Sequence, residues 1–77
     1  MSSTSIEIGR SYSNGAFGNT WEVRQVLALE PAGTIVYRVL VGRRRRRRGR
    51  CSQADFRRWA RYEVVRNENT WERVQKG

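Results

Sequence analysis

The chain has 77 residues and a formal net charge of +9, from 16 basic side chains against 7 acidic ones. That length admits one small domain, near the lower limit at which a single core suffices, and is too short for a catalytic pocket. With one cysteine and no histidine, it has no internal disulfide, no Cys/His zinc site and no histidine acid–base pair. No cofactor, metal or small-molecule substrate is expected, and the chain reads as no enzyme.

No apolar run approaches the roughly 20 residues of a membrane-spanning helix. The opening "MSSTSIEIG" lacks the basic and apolar regions of a secretory signal, which makes a reduced cytoplasmic setting the expectation. Fifteen arginines against one lysine, Lys76, hint at a GC-rich genome. Their placement matters more. Between Arg43 and Arg66 stand eleven arginines against Asp55 and Glu63, a balance of +9, and all other charges cancel. A neutral scaffold therefore carries one strongly basic segment.

In chain order, residues 1–5 are small and polar and are expected to be disordered. Residues 6–77 then form one domain. "IEIGRSY" (6–12) suits a short strand, and "SNGAFGN" (13–19) is rich in turn residues, with the hairpin dipeptide Asn14-Gly15. In "WEVRQVLAL" (21–29), Trp21, Val23, Leu27 and Leu29 alternate with Glu22, Arg24, Val26 and Ala28. "EPAGT" (30–34) is a turn, with Pro31 setting φ and Gly33 free to take a positive one. "IVYRVLV" (35–41) is β-branched and aromatic, and sets Ile35, Tyr37, Val39 and Val41 against Val36, Arg38 and Leu40.

Residues 42–50 follow as a flexible arginine-rich loop bordered by Gly42 and Gly49. Ser52 then caps a helix, with Asp55 in its first turn. Phe56, Trp59, Ala60 and Val64 make one helical stripe. Glu63 interrupts that stripe, so the helix is expected to end near 62–66, with "RNEN" as the stop. "NTWERVQ" (69–75) echoes "NTWEVRQ" (19–25), and the tail is expected to add Trp71 as a short strand or helical turn.

The expected fold is α+β: a three-stranded antiparallel sheet packed against one helix (β-β-β-α). The helix would cover Trp21, Val23, Tyr37 and Val39. Glu22, Arg24, Val26, Val36, Arg38 and Leu40 would form the opposite face, covered in part by the Trp71 tail, a second subunit or a ligand. Most aromatics are needed in the core, with Tyr12 and Phe17 the readiest to be exposed.

Arginine presents a planar fork of donors that matches phosphate oxygens. Arg43, Arg44, Arg45, Arg46, Arg47, Arg48 and Arg50 are therefore candidate phosphate contacts, unless the run is only a solvated loop. Arg57, Arg58 and Arg61, on the outer helix face, would extend them into a basic stripe or simply keep the helix soluble. Arg24 and Arg38, on neighbouring strands, would read bases in a groove or pair with acids such as Glu22. Cys51, beside Arg50 and a helix N-cap, is expected to have a lowered pKa.

The segment "FGNTWEVRQV … IVYRVLVG … CSQADFRRWA" (17–60) resembles DNA-binding domains built from a three-stranded sheet and a helix. These are the AP2 domain of plant transcription factors and the N-terminal arm-type domain of tyrosine integrases. Trp21, Arg24, Arg38, Gly42, Ser52, Phe56, Trp59 and Ala60 carry the likeness, from which the arginine run departs. The resemblance implies that the sheet face with Arg24 and Arg38 meets the major groove. The expected function is a non-catalytic nucleic-acid-binding module, its partner DNA, RNA or another polyanion. The alternative is a protein-interaction domain, a homodimer through Val26, Val36 and Leu40, whose arginine loop docks an acidic partner.

Overall fold

Residues 6–15, 21–68 and 70–74 are described in a computed structural model of the chain. Its elements are β1 (Ser11–Ser13), β2 (Val23–Leu29), β3 (Thr34–Val41), β4 (Arg48–Ser52), helix α1 (Gln53–Trp59), β5 (Tyr62–Asn67) and β6 (Thr70–Arg73). All strands belong to one antiparallel sheet in the order β4-β3-β2-β1-β5-β6.

The β-branched runs of β2 and β3 form the central hairpin. Its turn is closed by the amides of Gly33, at φ 82°, and Glu30, which donate to the carbonyls of Glu30 and Thr34 at 2.9 and 2.8 Å. This hairpin and turn follow the sequence pattern.

The three-stranded sheet plus helix does not. Among the described residues the sheet has six strands, and the fold is mostly β. The first strand begins at Ser11, after a bend at Gly9 (φ 87°), so the segment 6–12 is not itself a strand. Residues 48–52 form β4 opposite β3, while the Trp71 tail is strand β6, one of its two expected forms. The helix stops at Trp59, where Ala60 donates its amide to Phe56 and turns extended, and "YEVVRN" becomes β5. Glu63 settles that choice: it lies buried opposite Tyr12 and accepts a 2.8 Å bond from Arg10. In a helix it would have broken the apolar stripe.

Opposed residues share a sheet face. Tyr12, Val26, Ile35, Tyr37 and Val39 thus lie together under Phe56 of α1. Phe56 meets Tyr12 edge-on at 5.7 Å, Tyr37 at 6.0 Å and Trp59 at 5.5 Å. Each such fully buried side chain contributes about 1.5–3 kcal/mol. Tyr12, expected at the surface, has no exposure; its hydroxyl accepts the Glu7 amide at 2.9 Å. Phe17 and residues 1–5 lie outside the described residues, as do Asn19, Thr20 and Asn69 of the echoed motif.

Val26 sits in this core, on the face opposite to the expected one. A bulge between Val26 and Ala28 shifts the alternation of β2. The apolar patch expected to support a homodimer therefore reduces to Val36 and Leu40. No helix among the described residues is long and apolar enough to cross a membrane.

Candidate polyanion-binding surface

The β3–β4 connection carries the arginine run. Gly42 adopts φ 120°, where an added Cβ would stand 2.9 Å from the Trp21 carbonyl oxygen. The chain then closes on itself. Arg45 donates its amide to Gly42 at 3.2 Å, Arg46 to Val39 at 2.8 Å and Arg47 to Arg44 at 3.0 Å, while Val39 returns a 2.8 Å bond to Arg47. Arg46, at φ 76°, makes the reversal. Backbone–backbone bonding in this turn leaves the side chains of Arg43, Arg45, Arg46 and Arg47 exposed. None of the four makes an ion pair among the described residues.

Arg44 differs from its neighbours. Its guanidinium reaches both carboxylate oxygens of Glu22 at 3.2–3.3 Å, and that hydrogen bond and charge hold it still more firmly protonated. Glu22 is 9% exposed and is shared with Arg24. Arg24 was expected on the open sheet face as a base reader. It lies instead in the interior, 9% exposed, with its guanidinium over the Tyr37 ring at 4.4 Å and the Trp59 ring at 4.0 Å. Two aromatic faces and one carboxylate satisfy a cation that hydrocarbon alone would not. Arg24 is thereby removed from any binding surface. The groove-facing pair of Arg24 and Arg38 implied by the AP2-like and integrase-like resemblance is absent, because the two residues occupy opposite faces.

On the outer face, away from α1, the register sets Arg48 directly opposite Arg38. The same row continues through Gln25, Ser11 and Val64 to Arg73 on β6. It holds three arginines and no acid. Like charges in direct opposition destabilise a sheet pair, and neither Arg38 nor Arg48 has a carboxylate partner among the described residues. Arg50, one pleat along, is paired with Glu30. That pair is largely exposed, so it contributes little and opens readily.

Arg57, Arg58 and Arg61 are exposed on the helix side, Arg58 at 3.9 Å from Asp55. They do not continue the basic run. The five residues of β4, about 17 Å at ~3.3 Å each, separate the turn from the helix start, and the helix covers the opposite face. Ser52 caps α1 as expected, its hydroxyl accepting the Asp55 amide at 3.1 Å. Cys51 reverses its expectation. It faces Ile35 and packs against the core, so burial raises its pKa, Arg24 lowers it and Asp55 raises it.

Gln25, Arg66 and Arg73 escaped the sequence reading, which had Trp71 as a covering tail. The guanidinium of Arg66 lies 5.7 Å from the Trp71 ring, and that of Arg73 lies 4.8 Å from the Tyr62 ring. Glu63, which interrupts the helical stripe, was the available signal that "YEVVRN" is a strand. Among the described residues no group of His, Cys, Asp or Glu side chains is placed to hold a metal. Comparison with protein-family models, with curated proteins and with solved structures finds no match.

Proposed function

We propose that the protein is a non-catalytic nucleic-acid-binding module that grips phosphates through the β3–β4 hairpin. Arg43, Arg45, Arg46 and Arg47 at the turn are the principal contacts. Arg38 and Arg48 on the adjoining outer face add to them, and Arg50 joins by exchanging Glu30 for a phosphate. One observation carries the reading: a hydrogen-bonded turn displays four exposed arginines that no acid among the described residues neutralises. Among the described residues, Glu7, Glu22, Glu30, Asp55 and Glu63 are paired elsewhere, with Arg10, Arg24, Arg44, Arg50 and Arg58. Anions are then the natural counter-charge, and the cytoplasm is the compartment in which nucleic acid would supply them.

In this reading Arg44 is a strut. Its bonds to Glu22 fasten the turn to the buried Glu22–Arg24 pair and limit the entropy lost when phosphate binds. Arg57, Arg58 and Arg61 keep the helix side soluble. The test replaces Arg43, Arg45 and Arg47 by Ser and Arg46 by Asn, leaves Arg44 in place, and measures binding to duplex DNA across a salt series. Strong loss of affinity with a shallower salt dependence supports the reading; unchanged binding refutes it.

A further inference from the structure

We infer that the outer face of the sheet is a seat for single-stranded nucleic acid, with unpaired bases against Trp71 and phosphates on the flanking arginines. The inference rests on the polyanion reading above and narrows it to strands whose base faces are free.

The face is concave. Leu40 on β3 and Trp71 on β6 lie four strand spacings apart, about 19 Å in a flat sheet, yet both line one open basin of about 330 Å³. Its floor is Ser11, Gln25 and Val64, and Arg66 stands at its edge. The short strand β1 is buried on both faces. Glu63 backs the basin with its carboxylate held by Arg10.

The lining suits a base better than any part of a duplex. Leu40, Val64 and the half-buried Trp71 ring offer apolar and aromatic surface, and stacking on such a ring contributes about 1–3 kcal/mol per base. Gln25 spends one amide hydrogen on the Gly9 carbonyl at 3.4 Å, which leaves its other hydrogen and its oxygen for a base edge. A duplex keeps its base faces in its own stack and presents only edges and backbone. Charge complementarity completes the fit. The row through the basin runs Arg48, Arg38, Gln25, Ser11, Val64, Arg73, with cations at both ends and none of the seven acids within it. Phosphates at the ends with bases in the middle match a strand crossing the sheet. An acidic polypeptide would match the ends and leave the apolar middle unused.

Trp71→Leu keeps an apolar side chain on β6 but removes the ring, and Gln25→Glu places a negative charge at the centre of the floor. Each variant is checked for folding by its thermal melt. Binding is then measured to oligothymidylate of about 12 nucleotides, to a duplex of equal length and to heparin, with polyglutamate as competitor. Trp71→Leu is expected to weaken single-strand binding by about fivefold or more, with duplex and heparin affinity nearly unchanged. Gln25→Glu repels every polyanion through its charge, so it is read by the ratio of losses, which should be larger for the single strand than for heparin, and it remains informative if Trp71→Leu does not fold. Unchanged single-strand affinity, an equal loss on heparin, or displacement of the oligonucleotide by polyglutamate through Trp71 would each overturn the inference. The hairpin variant distinguishes the two readings. Loss on all polyanions belongs to the turn, and selective loss on single strands belongs to the basin.

Discussion

The guanidinium of Arg24 lies between two rings, 4.0 Å from the centre of Trp59 and 4.4 Å from that of Tyr37. Trp59 comes from the end of the helix and Tyr37 from the middle of β3. One buried cation thus fastens the helix to the sheet. Through Glu22 and Arg44 it also reaches the arginine turn.

Removing that cation should therefore be costly. Arg24→Leu leaves Glu22 buried with only the half-exposed Arg44 to balance it, and breaking such a buried pair costs about 3 kcal/mol. Arg24→Lys keeps the charge but not the planar stack on two rings, and should cost about 1 kcal/mol. Urea unfolding followed by tryptophan fluorescence would rank the two. Equal stability of both variants and the parent would show that the stacking contributes nothing.

Gly49 lies opposite Tyr37, and a Cβ there would overlap the Tyr37 hydroxyl and ring. The ring is packed beneath α1 and cannot give way without disturbing Phe56. Gly49→Ala should thus lower stability by about 1–3 kcal/mol as an overpacking change, seen as a reduced melting temperature. A variant as stable as the parent would mean that Tyr37 does not lie over position 49.

Ser52→Ala removes the acceptor for the Asp55 amide. A seven-residue helix has little stability of its own, so the loss of about 1 kcal/mol should appear as faster amide exchange in α1 before the sheet responds.

Burial holds the Cys51 thiol above its ordinary pKa. At neutral pH the neutral thiol dominates, and iodoacetamide should react more slowly than with a free cysteine peptide. Asp55→Asn removes a charge that opposes the thiolate and should speed the reaction. The sign for stability follows, since a raised folded pKa favours the protonated form. Its contribution is complete below the unfolded thiol pKa and is lost as pH rises through the folded one. Reaction faster than the peptide at pH 7 would restore the activated-thiol expectation.

Features set by neighbouring residues were legible in the sequence: the β2–β3 hairpin, the Gly33 turn and the Ser52 cap. Two kinds of information were not. A bulge adds one residue to one strand and reverses the face of everything beyond it. Val26 and Leu29, three residues apart, accordingly pack toward the same core, whereas strict alternation had separated them. The second kind is competition between periods. Phe56, Trp59 and Ala60 are helical, and Val64 extended that stripe into what is the middle of β5. The only local sign was Glu63, whose partner Arg10 lies 53 residues away. The same long-range pairing concealed the outer row, because Arg73, Gln25 and Arg38 meet only once the strand order is known. Arg24 was misplaced for a related reason: nothing within its own strand announces two rings waiting across the sheet.

In the proposed function the turn arginines without acidic partners make the phosphate contacts. The most direct measurement is the slope of log affinity against log salt for duplex DNA, between about 50 and 200 mM. It compares the parent, Arg44→Ser, and the variant lacking Arg43, Arg45, Arg46 and Arg47 side chains. Each lost phosphate contact flattens the slope by about 0.9, so the four-site variant should lose roughly 3 to 4, whereas Arg44→Ser should lose less than about 1. Identical slopes for the parent and the four-site variant would contradict the account.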